Sequence, residues 1–212
     1  MTLYGGRCFS VGVAWALVAG AAALGCGGLL SRQYPERRQF VLEATRPERA
    51  AAPAGAPVLA VMRFRTSAVV TGTSFVYRTG PQTYERDFYD VFWTAPEAML
   101  ADTARRWLSS SGLFADTLDA SSIAARAYLL DGAVSELYGD FRDPAQPRAA
   151  LGLRFALLDV RGPDPRIVFH AEYAASPAIT DESPDALAAG WNDALREILG
   201  KLEADLRGVV SP

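Results

Sequence analysis

The chain has 212 residues, half of them hydrophobic and 21% charged, enough for one domain with a sizeable core. A net charge of −3 excludes the broad basic surface that nucleic-acid binding requires. Lys201 is the only lysine, so nearly all the positive charge is arginine.

In chain order the first feature is a targeting pattern. Arg7 is the one basic residue among the first ten, and no charge follows from Val11 to Leu30. A basic start and an apolar stretch make a secretory signal peptide, read here as residues 1–25. Ala23-Leu24-Gly25-Cys26 closes it, and small residues before a cysteine resemble the lipobox of bacterial lipoproteins. That resemblance implies cleavage before Cys26 and a covalent lipid on its sulfur. No other cofactor and no metal is expected. Ala23 and Leu24 stand in the reverse of the usual lipobox order. The alternative is an uncleaved anchor, since twenty uncharged residues can cross a bilayer. The Gly-Cys-Gly-Gly break inside that stretch argues against a plain helix. Loss of Cys8 with the signal peptide would leave Cys26 as the only cysteine, so no intramolecular disulfide could form. In lipoproteins of double-membrane bacteria, Asp after the cysteine commonly signals inner-membrane retention. Gly27 stands there instead, which implies the periplasmic face of the outer membrane.

Residues 26–57 read as the lipidated N-terminus and a mobile tether, because 46–57 is rich in Pro and Ala without periodicity. Inside it, 38–43 has the pattern of a short edge strand. A single α+β domain is expected over 58–212. Its strands are 58–65, 74–79 and 83–89, the last two forming a hairpin across Gly80-Pro81. Thr94 as cap, Pro96 and Glu97 predict a helix start, with Met99, Leu100, Trp107 and Leu108 on one face and a stop at Ser111-Gly112. Strands follow over 125–138, 151–160 and 167–174, the last two joined tightly at 162–165. Ser183-Pro184 opens a second helix, whose Leu187, Trp191, Leu195, Ile198, Leu202 and Leu206 recur at steps of three and four. Glu197 and Lys201 are a favourable pair on its flank. The order β-β-β-α-β-β-β-α predicts a two-layer α+β sandwich, mostly antiparallel, with both amphipathic helices on one sheet face.

Catalytic chemistry is weakly represented, and the chain reads as non-enzymatic. His170, the only histidine, shares a strand face with Glu172, an arrangement better read as two side chains of a partly exposed strand than as a dyad. Gly-x-Ser-x-Gly is absent from the sequence, and Ser109-Ser110-Ser111 reads as a fraying helix end. Clustered Cys and His, EF-hand spacing and a P-loop are likewise missing from the sequence. Phe75, Tyr77, Tyr84, Phe88, Tyr89, Phe92 and Trp93 crowd the hairpin and the first helix start. Core packing with cross-strand aromatic pairs is one reading of them. The other is a surface that contacts a partner or lipid, with Tyr77, Arg78, Tyr84 and Arg86 as its candidates.

Several motifs in order resemble the ABC-type transport auxiliary lipoproteins, the PqiC-like family. They are the lipobox, Phe40-Val41-Leu42, Val76-Tyr77-Arg78, Trp93 to Pro96 and Leu113-Phe114, with a strand set and a C-terminal helix after them. The resemblance spans most of the chain after Cys26; the lipobox order and the long Ala/Pro tether depart from it. It implies a membrane-anchored accessory protein that docks an MCE (MlaD-type) periplasmic protein served by an ABC permease and ATPase, moving lipids or other hydrophobic molecules. It also implies a homo-oligomer. The competing expectation, from a different class, is a structural lipoprotein of envelope assembly or secretion with a domain like the N-terminal part of TolB.

Overall fold

A computed structural model describes residues 36–67, 72–122 and 124–210. Within it, Arg37–Pro212 forms one compact unit. The elements are β1 (Arg38–Phe40), β2 (Val58–Val61), β3 (Arg65–Thr66), β4 (Ser74–Arg78), β5 (Tyr84–Phe92), α1 (Pro96–Ser109), β6 (Asp116–Asp119), β7 (Tyr128–Asp140), β8 (Arg148–Asp159), β9 (Arg166–Ala175) and α2 (Pro184–Arg207).

All nine strands join one open sheet. Its axis is β7, which pairs along its length with β8. The other edge of β7 is shared, in succession, by β2 at Tyr128–Leu130, β3 at Ala133–Val134 and β4 at Gly139–Asp140. The expected hairpins are present: β4 with β5 and β8 with β9, both antiparallel. The sheet is mixed: β7–β8 and β8–β9, the longest ladders, and β4–β5 are antiparallel, whereas β1–β5, β2–β6, β2–β7, β3–β7 and β4–β7 are parallel. Each of these parallel ladders covers only two to four residues, too few to leave the long apolar run that marks a buried parallel strand. The strand expected over 58–65 is two strands, and β6, Asp-Thr-Leu-Asp, is too polar to read as one.

The core draws on both helices and the sheet. All six expected α2 stripe residues are fully buried. Each such side chain stabilises the fold by roughly 1.5–3 kcal/mol relative to exposure, before chain entropy is counted. They meet Leu130, Val134, Leu151, Leu153, Phe155 and Leu157 from β7 and β8, and Leu100, Ala104, Trp107 and Leu108 from α1. Gly132 lies under the ring of Phe64, where a Cβ would sit 2.4 Å from ring carbons, so only glycine fits. Ser183 caps α2 by accepting the Ala186 N–H at 3.2 Å, and Lys201 donates to Glu197 at 2.7 Å. In α1 the cap position belongs to Ala95 and no side chain caps it, so the expected Thr94 cap is one residue off. Glu97 instead bonds Arg63 at 3.2 Å. Gly112, past the helix end, has a positive φ of 76° and packs where a Cβ would meet Ala50 and Ala51 within 3.0 Å.

The lower limit of the domain also differs. Residues 37–57 pack on it rather than forming a free tether. Arg38–Phe40 pairs in parallel with Asp90–Phe92, and Leu42 is buried. The Leu42 carbonyl accepts from Thr103 Oγ1 at 3.2 Å, and the Ala50 N–H donates to Ser110 O at 2.9 Å. Arg46 reaches the buried carboxylate of Glu203 with two donors, at 2.9 and 3.2 Å. Trp107 Nε1 and Arg207 donate to the same carboxylate at 2.9 and 2.6 Å. A composition rich in Pro and Ala does not prevent a strap that contributes a few anchors.

Candidate docking surface

Period-two alternation sorts the β4–β5 hairpin onto two faces. The register pairs Arg78 with Tyr84 and Val76 with Arg86, so Arg78, Tyr84 and Arg86 share one face. Tyr77 pairs with Glu85 and points the other way, toward the core. Three of the four candidate contact residues are therefore brought together and the fourth is not.

Tyr77 stacks on Phe141, with centroids 5.3 Å apart and planes 22° apart, and donates its hydroxyl to Asp87 Oδ2 at 2.6 Å. Asp87 Oδ1 accepts the N–H groups of Tyr89 and Asp90 at 2.8 and 2.9 Å, where β5 gains extra residues against β4. Burial pushes the Asp87 carboxyl up, but the Tyr77 hydroxyl and these amide donors outweigh it and hold the group below the ordinary carboxylate range. A depressed folded-state value stabilises the fold above pH about 4 and loses that contribution as pH falls through the folded value. Tyr77→Phe is expected to lower stability at neutral pH, with the gap to wild type narrowing below pH about 4. Denaturant melts across pH check this, and a gap independent of pH would count against the assignment.

On the other face the Arg78 guanidinium lies over two rings, 5.6 Å from the Tyr84 centroid and 5.8 Å from that of Tyr138. The two tyrosines meet edge to face at 5.7 Å. Arg78 donates to Pro81 O at 2.8 Å and to the Tyr138 hydroxyl at 3.4 Å, while its buried Nε has no partner. Beneath lies a small apolar cluster of Val76, Tyr138 and Ala150, separate from the main core. Sequence reasoning missed Tyr138. It belongs to β7, which reaches β4 through only two parallel pairs, and nothing local signals that neighbour.

Of the remaining aromatic residues, Tyr89 is half-buried and the others divide between core and surface. Phe75 and Phe92 are core, 4.8 and 5.3 Å from the Trp191 ring. Phe88 and Trp93 are 80% and 68% exposed. The core reading of the run thus applies to Phe75 and Phe92, and Phe88 and Trp93 fall outside it.

His170 and Glu172 lie on β9, on the face turned away from the core, opposite Ala156 and Arg154 of β8. They line a shallow depression of about 680 Å³ beside the Arg65–Asp131 ion pair, which measures 2.6 Å. Among the described residues they form no hydrogen bond with each other, as a dyad would require. No helix among the described residues is long and apolar enough to cross a membrane. Cys26, the signal peptide and the start of the tether lie outside the described residues.

No family model matches the chain, and no curated protein matches it. Solved structures do. Protein XCC0632 from Xanthomonas campestris, of family DUF330, superposes with a TM-score of 0.64 at 21% identity, covering 80% of this chain and 90% of that one. The structure of an uncharacterized protein gives the same TM-score of 0.64 at 12% identity, over 81% and 99%. At these identities the likeness is one of fold.

Proposed function

We propose that this chain is a periplasmic lipoprotein, anchored through a lipid on Cys26 to the outer membrane, that docks the MCE-type component of an ABC transport system for lipids or other hydrophobic molecules. The observation that carries the docking part is the Arg78–Tyr84–Tyr138 cluster with Arg86 beside it on a sheet face turned away from the core. Arginine held over tyrosine rings is the composition of interface anchors. We read the architecture as two layers, with both helices on one face of the sheet and the opposite face left for a partner. The motif order shared with the ABC-type transport auxiliary lipoproteins supplies the partner class. The role assigned to the chain itself is placement and recognition, with no catalytic step.

The test is a pull-down of the full chain from detergent-solubilised membranes. Co-purification of an MCE-type protein with its permease and ATPase is the expected result. Recovery of an outer-membrane channel or peptidoglycan-associated proteins instead would favour a structural role in envelope assembly.

A further inference from the structure

The sheet edge formed by β1 and β5 carries a set of apolar side chains that packing leaves uncovered. Phe88 and Trp93 on and after β5, and Val41 just after β1, are 80%, 68% and 48% exposed. Trp93 and Val41 are brought side by side by the parallel ladder, since the Trp93 N–H donates to the Phe40 carbonyl at 2.8 Å. Phe88 projects from the irregular stretch of β5 just before its register with β1 begins at Asp90. Neither Phe88 nor Trp93 belongs to the core, and Phe88 meets Tyr89 edge to face at 5.2 Å.

We infer that this β1–β5 edge is a membrane-contacting surface, with Trp93, Phe88 and Val41 seated in the headgroup region of the bilayer that holds the lipid on Cys26. The inference rests on the lipoprotein reading and adds an orientation to it. Arg38, the first residue of β1, lies twelve residues after Cys26. Whatever their conformation, twelve residues span at most about 43 Å. A domain of this length has a diameter on the order of 30–40 Å, so the anchor cannot hold it far from the bilayer. The chain enters the domain at β1, so the β1–β5 edge is the part of the sheet nearest to Cys26 along the chain. Of the other exposed apolar side chains, Ile167 and Val168 on β9 lie five strands away along β1-β5-β4-β7-β8-β9, roughly 24 Å farther at the usual strand spacing, Met62 follows β2 and Tyr84 stands at the start of β5, before its register with β1. Tryptophan and other aromatic rings favour the bilayer interface, where one part of the ring is apolar and its edge stays hydrated. Arg37, exposed just before β1, supplies a positive charge beside this edge that suits headgroup phosphates.

The test uses the full chain, isolated from membranes and reconstituted in vesicles of phosphatidylethanolamine and phosphatidylglycerol, with and without brominated acyl chains. Of the tryptophans after residue 26, Trp107 and Trp191 are buried, so the emission lost in Trp93→Ala reports on Trp93. The mass of the N-terminal peptide is read on the same sample. The expected result is a lipidated Cys26, blue-shifted Trp93 emission and quenching by brominated lipid that disappears in Trp93→Ala and weakens in Phe88→Ser. Circular dichroism of both variants should match wild type, since both side chains are exposed. A lipidated chain whose Trp93 emits as in water and is not quenched overturns the inference and leaves the lipoprotein reading standing. Trp93 shielded in native membranes but not in vesicles overturns it in favour of a protein partner on this edge. A chain with no lipid on Cys26 overturns both.

Discussion

Trp191→Ala is expected to lower the melting temperature by roughly 10 °C, the largest effect of any single truncation in the α2 stripe. Trp191 is fully buried and packs against Phe75 edge to face at 4.8 Å and against Phe92 at 5.3 Å. Its indole N–H donates to the Ala150 carbonyl at 3.1 Å. Truncation removes the apolar contacts and leaves a cavity between α2 and the sheet, for a cost of about 3–5 kcal/mol. In a domain of this size each kcal/mol lowers the melting temperature by about 2–4 °C. Trp191→Phe retains most of the packing and loses the hydrogen bond, so it should cost only about 1–2 kcal/mol. Thermal unfolding followed by circular dichroism separates the two. Equal losses in both variants would mean that the hydrogen bond, and not the ring volume, dominates at this position.

Glu203→Ala is expected to cost about 3 kcal/mol or more and to release the segment before β2. The carboxylate is buried and accepts from Arg46, Trp107 and Arg207. Removing it leaves the Trp107 N–H without its acceptor and the Arg46 guanidinium without its counter-charge, holding only the carbonyls of Glu48 and Ser110. Breaking one side of a buried pair is far more costly than never having had the pair. Arg46 makes the buried one of two charged contacts between the strap and α2, the other being the exposed Arg38–Asp185 pair at 2.9 Å, so its release should also expose the peptide bond after Arg49 to trypsin. Glu203→Gln keeps the shape and part of the hydrogen bonding, and should fall between wild type and alanine. Denaturant melts and limited proteolysis read the two effects separately. A destabilised variant whose Arg49 bond stays protected would show that the backbone contacts of Leu42 and Ala50 hold the strap unaided.

These two sites show where sequence reasoning reached and where it stopped. Trp191 was legible because a helix repeats every 3.6 residues, and its apolar stripe is written locally at steps of three and four. The two antiparallel hairpins were legible for a similar reason, since a tight turn brings neighbouring alternating segments together. Arg46 and Glu203 are 157 residues apart, and no local pattern marks either as the other's partner. A Pro- and Ala-rich segment therefore read as mobile while two anchors and a three-residue strand fix its described part. The short parallel ladders were hidden in the same way, and Tyr138 with them, because a register between distant strands has no signature in either one. The candidate contact residues were legible as residue types. Their division between faces was not, since it depends on which register the hairpin adopts. A slip of one residue would have put Tyr77 outward and Arg78 inward.

The fold places an arginine–tyrosine cluster on a sheet face away from the core, and the account stands on that cluster being where a partner docks. The most direct measurement is a pull-down of the full chain from membranes, comparing wild type with an Arg78→Ala, Tyr84→Ala double variant whose folding is verified by its melting curve. Wild type is expected to retain an MCE-type protein, and the folded double variant to lose it while remaining in the membrane fraction. Equal recovery of that protein by both, or recovery of none by wild type, would contradict it.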